Sequence, residues 1–164
     1  MKLRLWYGIV LNLFLAALAV SGAALYVVHF KDSPKTRILV IRDTVSGKTY
    51  GRWPLEEFDE FAIEFIHSVN QSPVRETYRI EDGKLWPESV RFYSFGAGMQ
   101  SDLEEGQKLS RDGDAMIISG FSSSFKELNY IIGTVSDHIL YINNEIISLR
   151  ELCGRNAQIT MQYR

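Results

Sequence analysis

Residues 61–80, FAIEFIHSVNQSPVRETYRI, constrain the fold of this chain more than any other stretch. Side chains along a strand alternate faces, and residues directly opposite across an antiparallel pair share a face. Taking Asn70-Gln71-Ser72-Pro73 as the loop uses turn-forming residues at a common hairpin length. Val69 is then opposite Val74, His67 opposite Glu76, Phe65 opposite Tyr78 and Ile63 opposite Ile80. The other face pairs Ser68 with Arg75, Ile66 with Thr77 and Glu64 with Arg79. A one-residue slip would set Phe65 against Arg79, which burial forbids, whereas a two-residue slip keeps both faces. The stretch therefore predicts a β-hairpin whose apolar face carries a histidine and a glutamate.

The remainder of the chain reads the same way. RILVIR (37–42) is β-branched, Ser46-Gly47 turns it, and 48–53 returns. Residues 54–60 read as an acidic connection into the hairpin. Asp82-Gly83 is a turn into 84–86, with 90–95 as a further strand after Pro87. Residues 100–114 are polar and read as a long surface loop, and 115–121 as a strand. Asn143-Asn144 is a favoured two-residue turn between 139–142 and 145–149. Ile159, Met161 and Tyr163 alternate with polar residues in a last strand. Short strands with frequent turn signals predict an all-β fold, a small antiparallel β-sandwich or open barrel.

One transmembrane helix is expected to precede it. Residues 5–30, LWYGIVLNLFLAALAVSGAALYVVHF, contain no charged side chain. About twenty apolar residues suffice to cross a bilayer as a helix. Trp6, Tyr7 and Tyr26 suit the two interfaces. The rival reading is a cleaved signal peptide, with small residues at 21–24 as the cleavage site. Its apolar region would usually be about 7–15 residues, so the length of this run favours an uncleaved anchor. Lys2 and Arg4 precede the run and Lys31, Lys35 and Arg37 follow it, so basic residues alone do not set the orientation. A short N-terminal tail is easily retained in the cytoplasm, and long domains translocate largely regardless of charge. The expected organisation is an anchor at 1–30, a linker at 31–36 (KDSPKT) and an extracytoplasmic β domain at 37–164.

All 20 acidic residues, but not Lys2 and Arg4 among the 18 basic ones, lie beyond the apolar run, so the domain is mildly acidic. No basic patch points to nucleic acid. Cys153 is the only cysteine, which excludes an intramolecular disulfide and a CxxC metal site, and a small buried hydrophobe is its simplest role. His29, His67 and His138 are the only histidines, and none has partners at ligand spacing. Asp112-Gly113-Asp114 lacks the rest of a calcium loop. No metal and no cofactor is expected.

His67 facing Glu76 is the sharpest candidate. A carboxylate beside an imidazole fixes its tautomer and raises its pKa, as a general base or ligand contact requires. A satisfied structural pair is the simpler account, because buried polar groups need partners. Ser68 follows His67 but belongs to the other face, and no nucleophile lies at motif spacing, so no catalytic residue is assigned. Gly96-Ala97-Gly98 would bring backbone amides to an anion as a small nest does, or simply permit positive φ in a turn. With Arg75 or Arg91 as further contacts, the glycines Gly96 and Gly98 would suit a small organic anion.

FAIEFIHSVNQSPVRETYRIEDGKL followed by FYSFGAGM resembles the bacterial family called domain of unknown function 1850. The motifs that carry the resemblance are His67-Ser68-Val69, Pro73-Val74, Glu76, Asp82-Gly83 and Gly96-Ala97-Gly98, over roughly residues 37–150. Asn70 departs from the pattern where an acidic residue is usual, and Gln100 where proline is expected. The resemblance implies a small exported or membrane-anchored protein. It also implies an association with tripartite ATP-independent periplasmic (TRAP) transporters of the TAXI class. The expectation is thus a single-pass protein of the bacterial cell membrane, N-terminus cytoplasmic, held in the lipid bilayer by residues 5–30. Its partner would be a multi-span transporter subunit. Two alternatives are a surface enzyme using His67 and Glu76, and an organic-anion-binding sensor.

Overall fold

Alternating apolar and polar side chains set the strands of this chain, and residues that tolerate positive φ set their ends. The computed structural model describes residues 37–94 and 102–164. These form β1 (Ile38–Asp43), β2 (Thr49–Pro54), β3 (Glu60–Ile66), β4 (Pro73–Glu81), β5 (Lys84–Phe92), β6 (Lys108–Asp112), β7 (Ala115–Ser119), β8 (Glu127–Ile131), β9 (His138–Ile142), β10 (Glu145–Ser148) and β11 (Gln158–Tyr163). The one helix among the described residues, α1, is the single turn Leu149–Cys153, capped by the Ser148 hydroxyl, which accepts from the Glu151 amide at 3.0 Å. The expected transmembrane helix and linker, residues 1–36, lie outside the described residues. Among the described residues no helix is long and apolar enough to cross a membrane.

The all-β expectation holds: every strand pairing is antiparallel. One sheet has four strands in the order β2-β1-β11-β8, and the other has seven in the order β10-β9-β3-β4-β5-β7-β6. Their inner faces share one core. Leu39 and Ile41 of β1 and Ile159, Met161 and Tyr163 of β11 pack with Phe61 and Ile63 of β3, Tyr78 and Ile80 of β4, and Leu140 and Ile142 of β9. A smaller cluster, Val74, Phe92, Met116 and Ile118, continues the core under β5 and β7. Arg37–Arg164 form one compact unit.

The hairpin keeps its predicted faces but not its predicted register. Phe65 is opposite Val74, Ile63 opposite Glu76, Phe61 opposite Tyr78 and Glu64 opposite Arg75. The cause is a longer turn. Pairing stops at Ile66 and Pro73, and His67 leaves the strand to close the loop through its amide to the Ser72 carbonyl (2.9 Å). Gln71, at φ 51, completes the reversal and donates its amide to the His67 carbonyl.

Three further differences are local. Residues 84–92 form one strand rather than two, because a register shift opposite Thr77 and Tyr78 absorbs Pro87 without ending the pairing. Within the expected loop 100–114, Lys108–Asp112 is a strand whose five side chains are all exposed. It is held by backbone pairing to β7, and hydrophobic alternation cannot reveal it. Strand β8 was not expected either: it is short, and only Leu128 is buried in it.

Candidate functional site

His67 organises its own turn. Its Nδ1 accepts the amides of Val69 and Asn70, each at 3.3 Å. The ring does for this turn what an Asx side chain does elsewhere, giving otherwise unpaired amides an acceptor. Because Nδ1 accepts, the neutral ring carries its proton on Nε2. Ser68 beside it is exposed, and its carbonyl accepts from the Gln71 side chain. Asn70 donates to the Ser94 carbonyl at 3.1 Å, tying the turn to the end of β5. The base–orienter pair implied by the expected register is therefore not formed.

Glu76 has different partners. Its Oε2 accepts the hydroxyl of Tyr130 at 2.6 Å and that of Tyr78 at 3.1 Å, and the two hydroxyls are 3.2 Å apart. Tyr130 belongs to β8 and Glu76 to β4, so this triangle stitches one sheet to the other. Burial, followed by the Glu76 charge, pushes both phenols well above their ordinary value of 10.0. Phe61 stacks on Tyr78 at 5.5 Å, and Tyr130 meets His138 edge-on at 6.1 Å. A hollow of about 400 Å³ opens beside the triangle.

His138 is part of the packing of the larger sheet. It stacks on Phe65 at 5.1 Å, and its Nδ1 accepts the Gly133 amide at 3.3 Å. Burial holds its pKa below the ordinary 6.5, against the raising effect of Asp137. Asp137 accepts from the Arg150 amide, the Ser148 hydroxyl and its neighbour's amide, fastening the start of α1. Cys153 is half-buried, and desolvation raises its thiol to about 11, which leaves it unreactive at neutral pH.

The outer face of the seven-stranded sheet holds the remaining polar constellation. Arg75 stands directly opposite Arg91 across β4 and β5, and Thr77 opposite Ser89 in the next outward-facing row. Two hollows of about 540 and 590 Å³ share Arg75 and Thr77 as walls. The first also takes in Ala62, Tyr141 and Asn143, and the second Glu64, Ser89, Arg91, Tyr93 and Ile117. The Arg75 guanidinium lies over the Tyr141 ring at 4.1 Å and is 3.8 Å from Glu64. Arg91 bonds Asp112 at 2.8 Å. Of the sequence candidates, the structure thus sets Arg75 and Arg91 opposite each other on one face, with their guanidinium groups leaning apart toward Tyr141 of β9 and Asp112 of β6, and it leaves His67, Ser68 and Glu76 elsewhere. Gly96 and Gly98 lie outside the described residues. The arginine pair could have been found in the sequence only with the correct β4–β5 register, which the bulge at Pro87 conceals.

No curated protein matches the chain, and no solved structure does. The model of the family described as Domain of unknown function (DUF1850) matches residues 61–149, from the first buried residue of β3 to the first residue of α1. That interval includes the His67 turn, the Glu76 triangle and both arginines of the outer face. The chain therefore belongs to the DUF1850 family.

Proposed function

We propose that this chain is a membrane-anchored, extracytoplasmic accessory module of a bacterial solute transporter of the TRAP type, and that its β domain binds rather than catalyses. The observation that carries the binding reading is the pair of hollows on the outer face of the seven-stranded sheet, joined through Arg75 and Thr77. Hollows of this size, with a few convergent polar groups, are what small-molecule sites offer. The polar groups here are side chains on paired strands, a rigid platform rather than a mobile loop. By contrast, the histidine and glutamate that suggested catalysis are each engaged in holding the fold together.

The anchor rests on the uncharged run at residues 5–30, with 31–36 as linker and 37–164 outside the membrane. A tether of that kind raises the effective concentration of the domain at a membrane partner without requiring a large interface. The transporter rests on what the family resemblance implies. Affinity capture of the tagged full chain from native membranes in mild detergent tests the reading. A multi-span transporter subunit should co-elute in stoichiometric amount. Recovery of the chain alone, from extracts in which other membrane complexes stay intact, would overturn it.

A further inference from the structure

We infer that the outer edge of β6 pairs with the β6 of a second copy of this chain, antiparallel and centred on Ser110, so that two seven-stranded sheets become one continuous sheet. This goes beyond the accessory-module reading and rests on it in one respect, the membrane anchor that gathers the copies.

β6 ends the seven-stranded sheet, and among the described residues its backbone pairs with β7 alone. It contains no proline, glycine or register shift, and all five of its side chains are exposed. A regular free edge of that kind is a template for another strand, and proteins commonly block such edges with charge. Lys108, Arg111 and Asp112 are charged, but their order decides which strand they turn away. In an antiparallel pair centred on Ser110, Lys108 of each copy is opposite Asp112 of the other, and Leu109 opposite Arg111. Opposite charges directly across a pair stabilise it, and like charges destabilise it. Lys108 makes no salt bridge among the described residues. Asp112 bonds Arg91 through Oδ2 alone, with a side chain 66% exposed, and that bond holds its carboxylate on the outer face. Lys108 shares this face by parity.

The faces match as well. A two-fold axis perpendicular to the sheet pairs identical strands antiparallel and keeps inner face beside inner face. Leu109 is opposite Ile118 of β7 and so extends the inner face beyond the cluster of Phe92, Met116 and Ile118, yet it is 42% exposed. The aliphatic stem of Arg111 from the second copy would cover it. The other three sheet edges lack this symmetry. β2 carries Gly51, Pro54 and a register shift. Self-pairing would set Glu145 against Ser148 in β10 and Glu127 against Ile131 in β8. An edge as short as β6 makes an interface below the roughly 1,200 Å² of a stable complex, so the pair is expected where a shared membrane concentrates the copies.

Disulfide trapping of the full chain in native membranes tests this, in a Cys153→Ala background with copper phenanthroline as oxidant. Directly opposite side chains lie about 4.5–5.5 Å apart at Cβ and diagonal ones about 7–8 Å, and only the first separation suits a disulfide. Ser110→Cys should form a covalent homodimer. Leu109→Cys and Arg111→Cys should each do so at least about tenfold less when expressed alone, and should crosslink with each other when co-expressed. Lys108→Asp added to the Ser110→Cys chain sets carboxylates opposite each other at both ends of the pair and should cut the dimer at least about tenfold. Adding Asp112→Lys should restore it. All these side chains are exposed, so the circular dichroism spectrum should not change. A Ser110→Cys chain that stays monomeric or crosslinks to a different protein would overturn the pairing. So would a Leu109→Cys homodimer of equal yield, or a dimer indifferent to the charge exchange. Fractionation separates the two levels. Monomer in the membrane fraction keeps the anchor and removes the pairing, whereas dimer in the soluble fraction removes the anchor and keeps the pairing.

Discussion

At the scale of single residues, His67 and Glu76 hold a turn and two sheets in place. His67→Ala removes the shared acceptor of two amides and should cost about 1 kcal/mol in urea unfolding. His67→Asn, which keeps an acceptor near the same place, should recover part of it. Tyr130→Phe deletes the shortest contact of the Glu76 carboxylate and should cost about 1–2 kcal/mol. The same triangle sets an alkaline limit. Because burial raises the folded-state pKa of Tyr78 and Tyr130, their contribution is complete below the ordinary value of 10.0 and is lost as pH rises through the folded values. Phenolate absorbance should therefore show a late phase that coincides with loss of the β circular dichroism signal and shrinks in Tyr130→Phe. His138 acts at the other end of the scale. Its depressed pKa means that the unfolded chain takes up the proton first, so stability declines as pH falls through 6.5 toward the lower folded value. Phe58 is an exposed aromatic at φ 69, a conformation that costs a bulky L-residue about 1–2 kcal/mol. Phe58→Gly should raise the melting temperature in a calorimetric comparison with the wild type.

At the scale of elements, turn chemistry was the most legible part of the sequence. Asn143 and Asn144 take φ 50 and 63, as a two-residue hairpin turn between twisted strands requires. Asn143 also bonds the Pro54 carbonyl at 2.8 Å, so this turn is joined to the end of β2 in the other sheet. Asn144→Val should cost about 1–2 kcal/mol by forcing a β-branched residue into the left-handed region, while Asn144→Gly should be neutral or stabilising in the same denaturant series. Gly120 is a second such position. At φ 80, an added Cβ would come within 2.5 Å of the Gly106 carbonyl oxygen, a backbone atom with little room to yield. Strand edges were far less legible. β6 buries no side chain and exists through backbone pairing alone, and β8 exposes three of its five, so neither gives a period that sequence reading can detect.

At the scale of the whole molecule, stability depends on the two sheets sharing one set of apolar side chains. Leu140 is fully buried on β9 in that shared core, and Leu140→Ala should cost about 2–5 kcal/mol by calorimetry or denaturant unfolding. Trp53 on the edge of the smaller sheet packs at the rim of the same core, and truncation there should cost less, since the site opens to solvent. The outer face of the larger sheet carries no such burden. Substitutions at Arg75 and Arg91, whose ion pairs are partly exposed, are therefore expected to change the melting temperature little.

By itself the sequence determined the strand-rich character of residues 37–164, the inner and outer faces of the hairpin, the Asn-Asn and Asp-Gly turns and the family. Each of these depends on chemistry local in the chain: alternation with a period of two, and residues that accept positive φ. Tertiary structure alone decided the register of β3 against β4, the partnership of Glu76 with Tyr130 and the register that sets Arg75 opposite Arg91. Parity fixes which face a side chain occupies but not which neighbour it meets. That choice is made by the length of the His67 turn, by the bulge at Pro87 and by packing against a sheet whose strands come from the two ends of the domain.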